Sequence, residues 1–215
     1  MLELVNVTKS FENKNVLLNI NAIFECGNIN ILLGKNGIGK STLLDCIVRP
    51  YYLDEGLVLL DGKNVNNIEI RRKIFYLPSY SFIDEDIKAI DYLNFVSNVY
   101  TDKNLSFEIF KKDLQILNLE NNMNDRINTF SLGMKKKLYF IGSIVSCADY
   151  LIYDELFNGI DEESSHYMLE KLDLLKAKRK CIIISTHNKT KLINISDMQY
   201  ILKEKTLLQQ KLINR

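Results

Sequence analysis

Paired cysteines, an excess of one charge and a long apolar run are all missing from this chain of 215 residues, and each absence closes off a class of protein. The four cysteines, Cys26, Cys46, Cys147 and Cys181, lie far apart with no Cys-x-x-Cys pair. With no secretory leader at Met1, that usage suits reduced thiols in a cytosol, and all four read as small apolar residues. Lys and Arg total 28 against 27 Asp and Glu, so no global field points to nucleic acid or to a strongly anionic membrane surface. The apolar stretch from Leu138 to Ala148 is too short to span a bilayer and is interrupted by Gly142, Ser143 and Ser146, so the chain is expected to be soluble by itself. No internal repeat, low-complexity segment or flexible linker divides it. Its length suits one large α/β unit with a sizeable core.

What is present is an alternation of strand and helix patterns. Strand-like runs at 2–7, 16–24 and 29–33 are followed by a further strand at 57–60, before the Asp61-Gly62 turn, and by one at 73–77, which Pro78 stops. From Asp86 to about Leu119 the period becomes helical, with Ile87, Ile90, Leu93 and then Phe107, Phe110, Leu114, Leu117 on repeating faces. A helix is expected from Ser131 to about Ser146, a buried strand at 150–153, a helix at 162–178, another apolar strand at 181–185 and a closing hairpin at 198–212. Such alternation marks a parallel sheet with helices on its faces, interrupted by a helical insert.

Gly34-Lys35-Asn36-Gly37-Ile38-Gly39-Lys40-Ser41 spells G-x-x-x-x-G-K-[ST] between the strand Ile29 to Leu33 and a helix that begins near Thr42. Glycines let the chain curl with its amides inward, a lysine reaches the β/γ-phosphates, and a serine hydroxyl ligates Mg²⁺. A helix N-terminus at the same point adds its own partial positive charge, so the motif predicts a nucleoside triphosphate site.

Three further groups point to chemistry. The strand Tyr150 to Tyr153 delivers Asp154 and Glu155 at its C-terminal end, where one carboxylate can serve Mg²⁺ through water and the other can act as general base on the attacking water. The strand Cys181 to Ser185 leads to His187, whose imidazole can hydrogen-bond the γ-phosphate and hold that water in line. Phe130-Ser131-Leu132-Gly133-Met134 opens a helix with Ser131 as its N-cap, and Lys135-Lys136-Lys137 then opposes the helix dipole, which suggests an anion near the helix start. His166, between Ser165 and Tyr167 in a polar helix, reads as solvent-facing.

In order and spacing this set resembles the nucleotide-binding subunit of ATP-binding cassette (ABC) transporters, from about Leu2 to the last strand. The resemblance implies a P-loop ATPase of ABC type, α/β with a mixed parallel core sheet, an antiparallel N-terminal β-subdomain and a helical subdomain at about 80–130 inserted in a single domain spanning 1–215. It makes Phe11 the aromatic that stacks on adenine, Gly34 to Thr42 the Walker A loop, Asp154-Glu155 the end of Walker B, Asn158-Gly159-Ile160-Asp161 the D-loop and His187 the switch histidine. Ser131 and Gly133 match the signature sequence that reaches the γ-phosphate of an opposite subunit's nucleotide. ATP and Mg²⁺, a head-to-tail dimer with a second ABC subunit, and an integral membrane permease as a separate chain are implied. So is a position on the cytoplasmic face of the membrane, with no nucleic acid expected. Tyr80, Phe82 and Ile83 fall where the family docks its membrane partner, and an exposed apolar groove is expected there.

The chain departs from the family pattern in three places. Ser79 stands where glutamine usually approaches Mg²⁺ and water, and serine cannot reach as far. Leu132 and Met134 replace signature residues, a form similar to the bacitracin-export and lantibiotic-immunity branch. Leu156-Phe157 replace the usual Pro-Thr or Pro-Ser. Since Glu155 is kept, the departures imply altered coupling before a dead site. The alternatives are a weak or silent half of a heterodimer, and a soluble ABC protein of translation or DNA maintenance. The second of these needs a second cassette or sustained heptads, and neither is in the sequence.

Overall fold

A computed structural model describes residues 1–12, 14–79, 84–102, 106–187 and 192–211, the Phe107 side chain excepted. Three apolar runs are buried along their whole length: β3 (Ile29–Leu33), β7 (Tyr150–Asp154) and β8 (Cys181–Thr186). Burial on both faces is what a central parallel strand requires, and these runs lie inside a six-stranded sheet of order β10-β9-β3-β8-β7-β6. β6 (Ile74–Leu77) pairs parallel to β7 and β9 (Met198–Lys203) parallel to β3, whereas β10 (Thr206–Lys211) closes the edge, antiparallel to β9 in a hairpin. The second sheet is antiparallel, of order β2-β1-β4-β5, and contains β1 (Leu2–Phe11), β2 (Lys14–Phe24), β4 (Glu55–Leu60) and β5 (Lys63–Asn64).

The two faces of the mixed sheet serve two cores, because side chains alternate along a strand. On one face Tyr150, Ile152, Cys181 and Ile183 join Leu43, Leu44 and Ile47 of helix α1 (Lys40–Val48), together with Leu2, Leu4, Val58 and Leu60 of the antiparallel sheet. On the other face Leu151, Tyr153, Ile182 and Ile184 meet Leu138, Phe140 and Ile141 of α5 (Leu132–Val145) and Met168 and Leu172 of α6 (Glu162–Ala177). The short helix α2 (Ile68–Arg71) precedes β6.

Between β6 and α5 the chain forms α3 (Ala89–Thr101) and α4 (Phe107–Ile116). Tyr92 of α3 meets Tyr139 of α5 edge to face at 5.3 Å between ring centroids. α4 is tied to α6 through Asp113, which takes the Lys171 ammonium at 2.6 Å and the Tyr167 hydroxyl. Leu93, Leu114 and Leu117 are buried as their periodicity predicts. The strand ends differ from expectation mainly by extension, β1 running to Phe11 and β7 to Asp154. Cys46 and Cys181 are buried and Cys26 is half-buried, but Cys147, read with them as a small apolar residue, is exposed. It occupies the turn after α5 at φ +54°, beyond the end of the packed helix face. Tyr80, Phe82 and Ile83 lie outside the described residues. Among the described residues no helix is long and apolar enough to cross a membrane.

Candidate functional site

Parallel pairing brings the C-terminal ends of β3, β8, β7 and β6 to one edge, in that order. The segments leaving that edge are the glycine loop, Thr186-His187, Asp154-Glu155 and Pro78-Ser79, so residues more than a hundred positions apart converge. Phe11, Val16, Asn36, Gly37, Gly39, Lys40, Ser41, Thr42, Asp154 and Glu155 line one open cavity of about 410 Å³, a size suited to a small-molecule ligand. Gly39 sits at φ +113° as the N-cap of α1, where a Cβ would meet Val16 at 2.7 Å, so the turn admits only glycine. The first turn of α1 carries no acidic side chain, which leaves its amides open to an anion.

Lys40 is 6 % exposed, and its ammonium donates to the Gly34 and Lys35 carbonyls at 2.9 and 3.3 Å. It stands 3.6 Å from Oε1 of Glu155, whose Oε2 lies 3.1 Å from Nδ1 of His187. Glu155 has φ +52°, a left-handed conformation uncommon for a residue with a side chain. Its amide is held by the Ser185 carbonyl at 3.2 Å and by the Ser185 hydroxyl at 3.1 Å. The same hydroxyl donates to Oδ1 of Asp154.

Asp154 is 1 % exposed, and its Oδ2 is buried with no hydrogen-bond partner among the described residues. A buried carboxylate oxygen left in this way is satisfied by a cation or by water bound to one. Asp154 and Ser41 share the cavity and offer hard oxygen donors, and among the described residues no group of three or more His, Cys, Asp or Glu forms a cage. One carboxylate and one hydroxyl beside a phosphate cradle fit Mg²⁺, which keeps water and phosphate oxygens in its shell.

The remaining expected residues divide. Phe11 is 41 % exposed at the mouth of the cavity, its ring 5.8 Å from that of Tyr52. Ser131 caps α5 by accepting from the Met134 amide at 3.2 Å, and Gly133 packs so closely that a Cβ would stand 2.6 Å from the Gly159 carbonyl oxygen. Neither lines the cavity around Lys40. Asp161, expected at the nucleotide, is engaged elsewhere. It caps α6 by accepting from the Ser164 amide at 2.8 Å and pairs with Lys137 at 2.6 Å, and the Lys137 ammonium beside it holds its carboxyl well below the usual range. Ser79 lines a different cavity of about 160 Å³ with Glu85, Leu132, Lys135, Lys136 and Tyr139. His166 is exposed, as expected, and pairs with Glu170.

The lysine triplet corrects one argument. Lys135 pairs with Glu85 at 2.6 Å, Lys137 with Asp161, and Lys136 is buried with its ammonium on the Glu155 carbonyl, so the three lysines by themselves are no sign of an anion at the helix start. Sequence reasoning also missed Ser185, whose signal was a polar residue beside Asp154 in an otherwise isoleucine-rich strand.

The protein-family model described as "ABC transporter" matches residues 17–158. The chain is 31% identical over 191 residues to the cytochrome c biogenesis ATP-binding export protein CcmA of Reclinomonas americana, covering 86% of this chain and 84% of that protein. It is 24% identical to the SkfA peptide export ATP-binding protein SkfE of Bacillus subtilis, over 97% of this chain and 88% of that one. A solved structure of an ATP binding subunit of an ABC transporter superimposes with a TM-score of 0.89 at 25% identity, covering 99% of this chain and 90% of that chain. With the phosphate loop, the paired carboxylates and His187 at one sheet edge, the chain belongs to the ABC transporter family, as an ATP-binding and ATP-hydrolysing subunit.

Proposed function

We propose that this chain hydrolyses MgATP in the Phe11–Glu155 cavity and uses the cycle to power transport by a separate membrane permease, in the direction of export. The observation that carries the reading is Glu155, fixed between Lys40 and His187 at the lip of the phosphate loop. Phe11 would stack on the base, the Asn36 to Thr42 amides would wrap the phosphates, and Lys40 would move from the Gly34 and Lys35 carbonyls onto the β/γ oxygens. Glu155 accepts the proton of the attacking water, while His187, hydrogen-bonded to that carboxylate, holds the water in line. Ser41 and Asp154 would hold Mg²⁺, which supplies charge neutralisation on the phosphates when bound.

Ser131 and Gly133 lie away from this cavity, which supports a head-to-tail dimer in which they complete the site of a second ABC subunit. We read 1–215 as one such unit with the segment at about 80–130 inserted, placed on the cytoplasmic face of the membrane beside its permease. The names of the CcmA and SkfE relatives support export, and for the cargo, a peptide or drug-like compound, the name of SkfE supports the peptide. Ser79 keeps a second reading in view, that of a weakly hydrolysing half of a heterodimer, because it lines a different cavity from that of Lys40.

The test is ATP turnover by the chain co-purified with its permease from gently solubilised membranes. Glu155→Gln is expected to keep ATP binding, trap a closed dimer and cut turnover by about 100-fold or more, while Lys40→Ala loses nucleotide affinity. Wild-type turnover by Glu155→Gln would remove Glu155 as the base.

A further inference from the structure

We infer that Lys136 is a positioning residue for hydrolysis: its buried ammonium fixes the backbone of Glu155 and thereby connects the start of α5 to the general base. The inference rests on Glu155 having that role.

Three consecutive lysines in the first two turns of α5 all oppose the helix dipole, but they differ in what they touch. Lys135 and Lys137 each reach a carboxylate, at Glu85 and Asp161. Lys136 is 6 % exposed, forms no ion pair within 4.0 Å among the described residues, and donates to the main-chain oxygen of Glu155. Burying an ammonium on a neutral carbonyl is unfavourable unless nearby charge compensates, and burial does pull the Lys136 pKa down while Glu155 and Asp154 oppose it. An apolar residue of the same length would fill the space without that cost. The position therefore carries a charged donor for a reason other than packing.

What the donor holds is a strained peptide. Glu155 sits at φ +52°, with Ser185 holding its amide and Lys136 its carbonyl. Both peptide groups flanking its Cα are thus pinned, and the carboxylate points between Lys40 and His187. Without Lys136 the carbonyl is free to turn, and the carboxylate loses its aim.

The same end of α5 is joined to the loop after β7 twice more. Lys137 holds Asp161, and Gly133 abuts the Gly159 carbonyl. α5 begins at Ser131, the residue proposed to face the second subunit's nucleotide. A shift of α5 on engaging that nucleotide would be passed through Lys136 to Glu155 of its own chain.

The experiment compares Lys136→Met, Lys136→Arg and Glu155→Gln in the full chain co-purified with its permease. It reads steady-state ATP turnover, binding of a fluorescent N-methylanthraniloyl ATP and thermal unfolding. Lys136→Met is expected to lower kcat by about tenfold with KM, analogue affinity and Tm close to wild type, since only aim is lost. Lys136→Arg, which keeps a charged donor, is expected to recover most of the turnover. Wild-type kcat in Lys136→Met overturns the inference, and so does an equal loss in Lys136→Arg or a fall in kcat matched by a fall in Tm. Full turnover by Glu155→Gln would instead overturn the general-base reading itself.

Discussion

Ser185 joins the two halves of the acidic pair, and Ser185→Ala measures what that junction contributes. The hydroxyl donates to Oδ1 of Asp154 and accepts from the Glu155 amide, and Ser185 is fully buried. Since Oδ2 of Asp154 already has no partner, the substitution leaves a 1 % exposed carboxylate with neither oxygen satisfied. A hydrogen bond to a buried charge is worth about 1.5–3 kcal/mol. The Glu155 amide keeps the Ser185 carbonyl, so nothing is added for it. At about 2–4 °C per kcal/mol for a chain of this size, the Tm should fall by roughly 3–12 °C. Thermal unfolding followed by circular dichroism, at neutral pH and without nucleotide, reads the change. Adding Asp154→Asn removes the buried charge, so the double variant should melt above Ser185→Ala alone, a coupling that only directly interacting groups produce. A Ser185→Ala protein melting within about 2 °C of wild type would refute the reasoning, because it would mean that Asp154 is satisfied without the hydroxyl.

Three other outcomes are expected. The Asp161 carboxyl is held below its ordinary value by Lys137 and then by the Ser164 amide, so it favours the fold above about pH 4 and that contribution fades as pH falls further. Asp161→Asn should therefore give a shallower loss of Tm between about pH 5 and pH 3 than wild type, a small difference because the group is half-exposed; parallel acid profiles would contradict this. Gly133→Ala should destabilise the protein by about 1–3 kcal/mol in the same melts, as the new Cβ must displace the Gly159 carbonyl, and an unchanged Tm would show that the two loops are not packed as described. Ser79→Gln should raise ATP turnover or its coupling to transport; no change in either measured rate would mean that serine at this position is no handicap.

The sequence disclosed backbone events better than side-chain partnerships. Runs such as Ile29 to Leu33 and Cys181 to Ser185 announce buried strands because both faces are apolar, and Ser131 announces a helix start because only a few residue types cap well. Lys136 was illegible for the opposite reason. A lysine beside two others at a helix start suggests an external anion, and only the tertiary position of the Glu155 carbonyl makes the burial of Lys136 tolerable. The partners of Asp161 were illegible because a D-loop match predicts neighbourhood and says nothing of which atoms of its own chain the carboxylate meets, here the Ser164 amide and Lys137. Cys147 was taken as apolar from residue type, yet it falls one step past the α5 cap, where a left-handed turn faces outward.

The strand that feeds the phosphate loop has an unusual position in time. β3 pairs with β8 and β9, Ile29 lying opposite Ile182 and Asn30 opposite Met198, and Leu202 forms the wall behind Gly34 and Gly39. During synthesis the glycine loop emerges ahead of both neighbours of its strand, which arrive roughly 150 residues later, about 8–30 s at ordinary ribosome speed. Until then β3 has two open edges and the loop has no wall. The nascent chain therefore carries its nucleotide motif through that interval without a nucleotide site, and the unpaired β3 is the segment that a chaperone would have to shield.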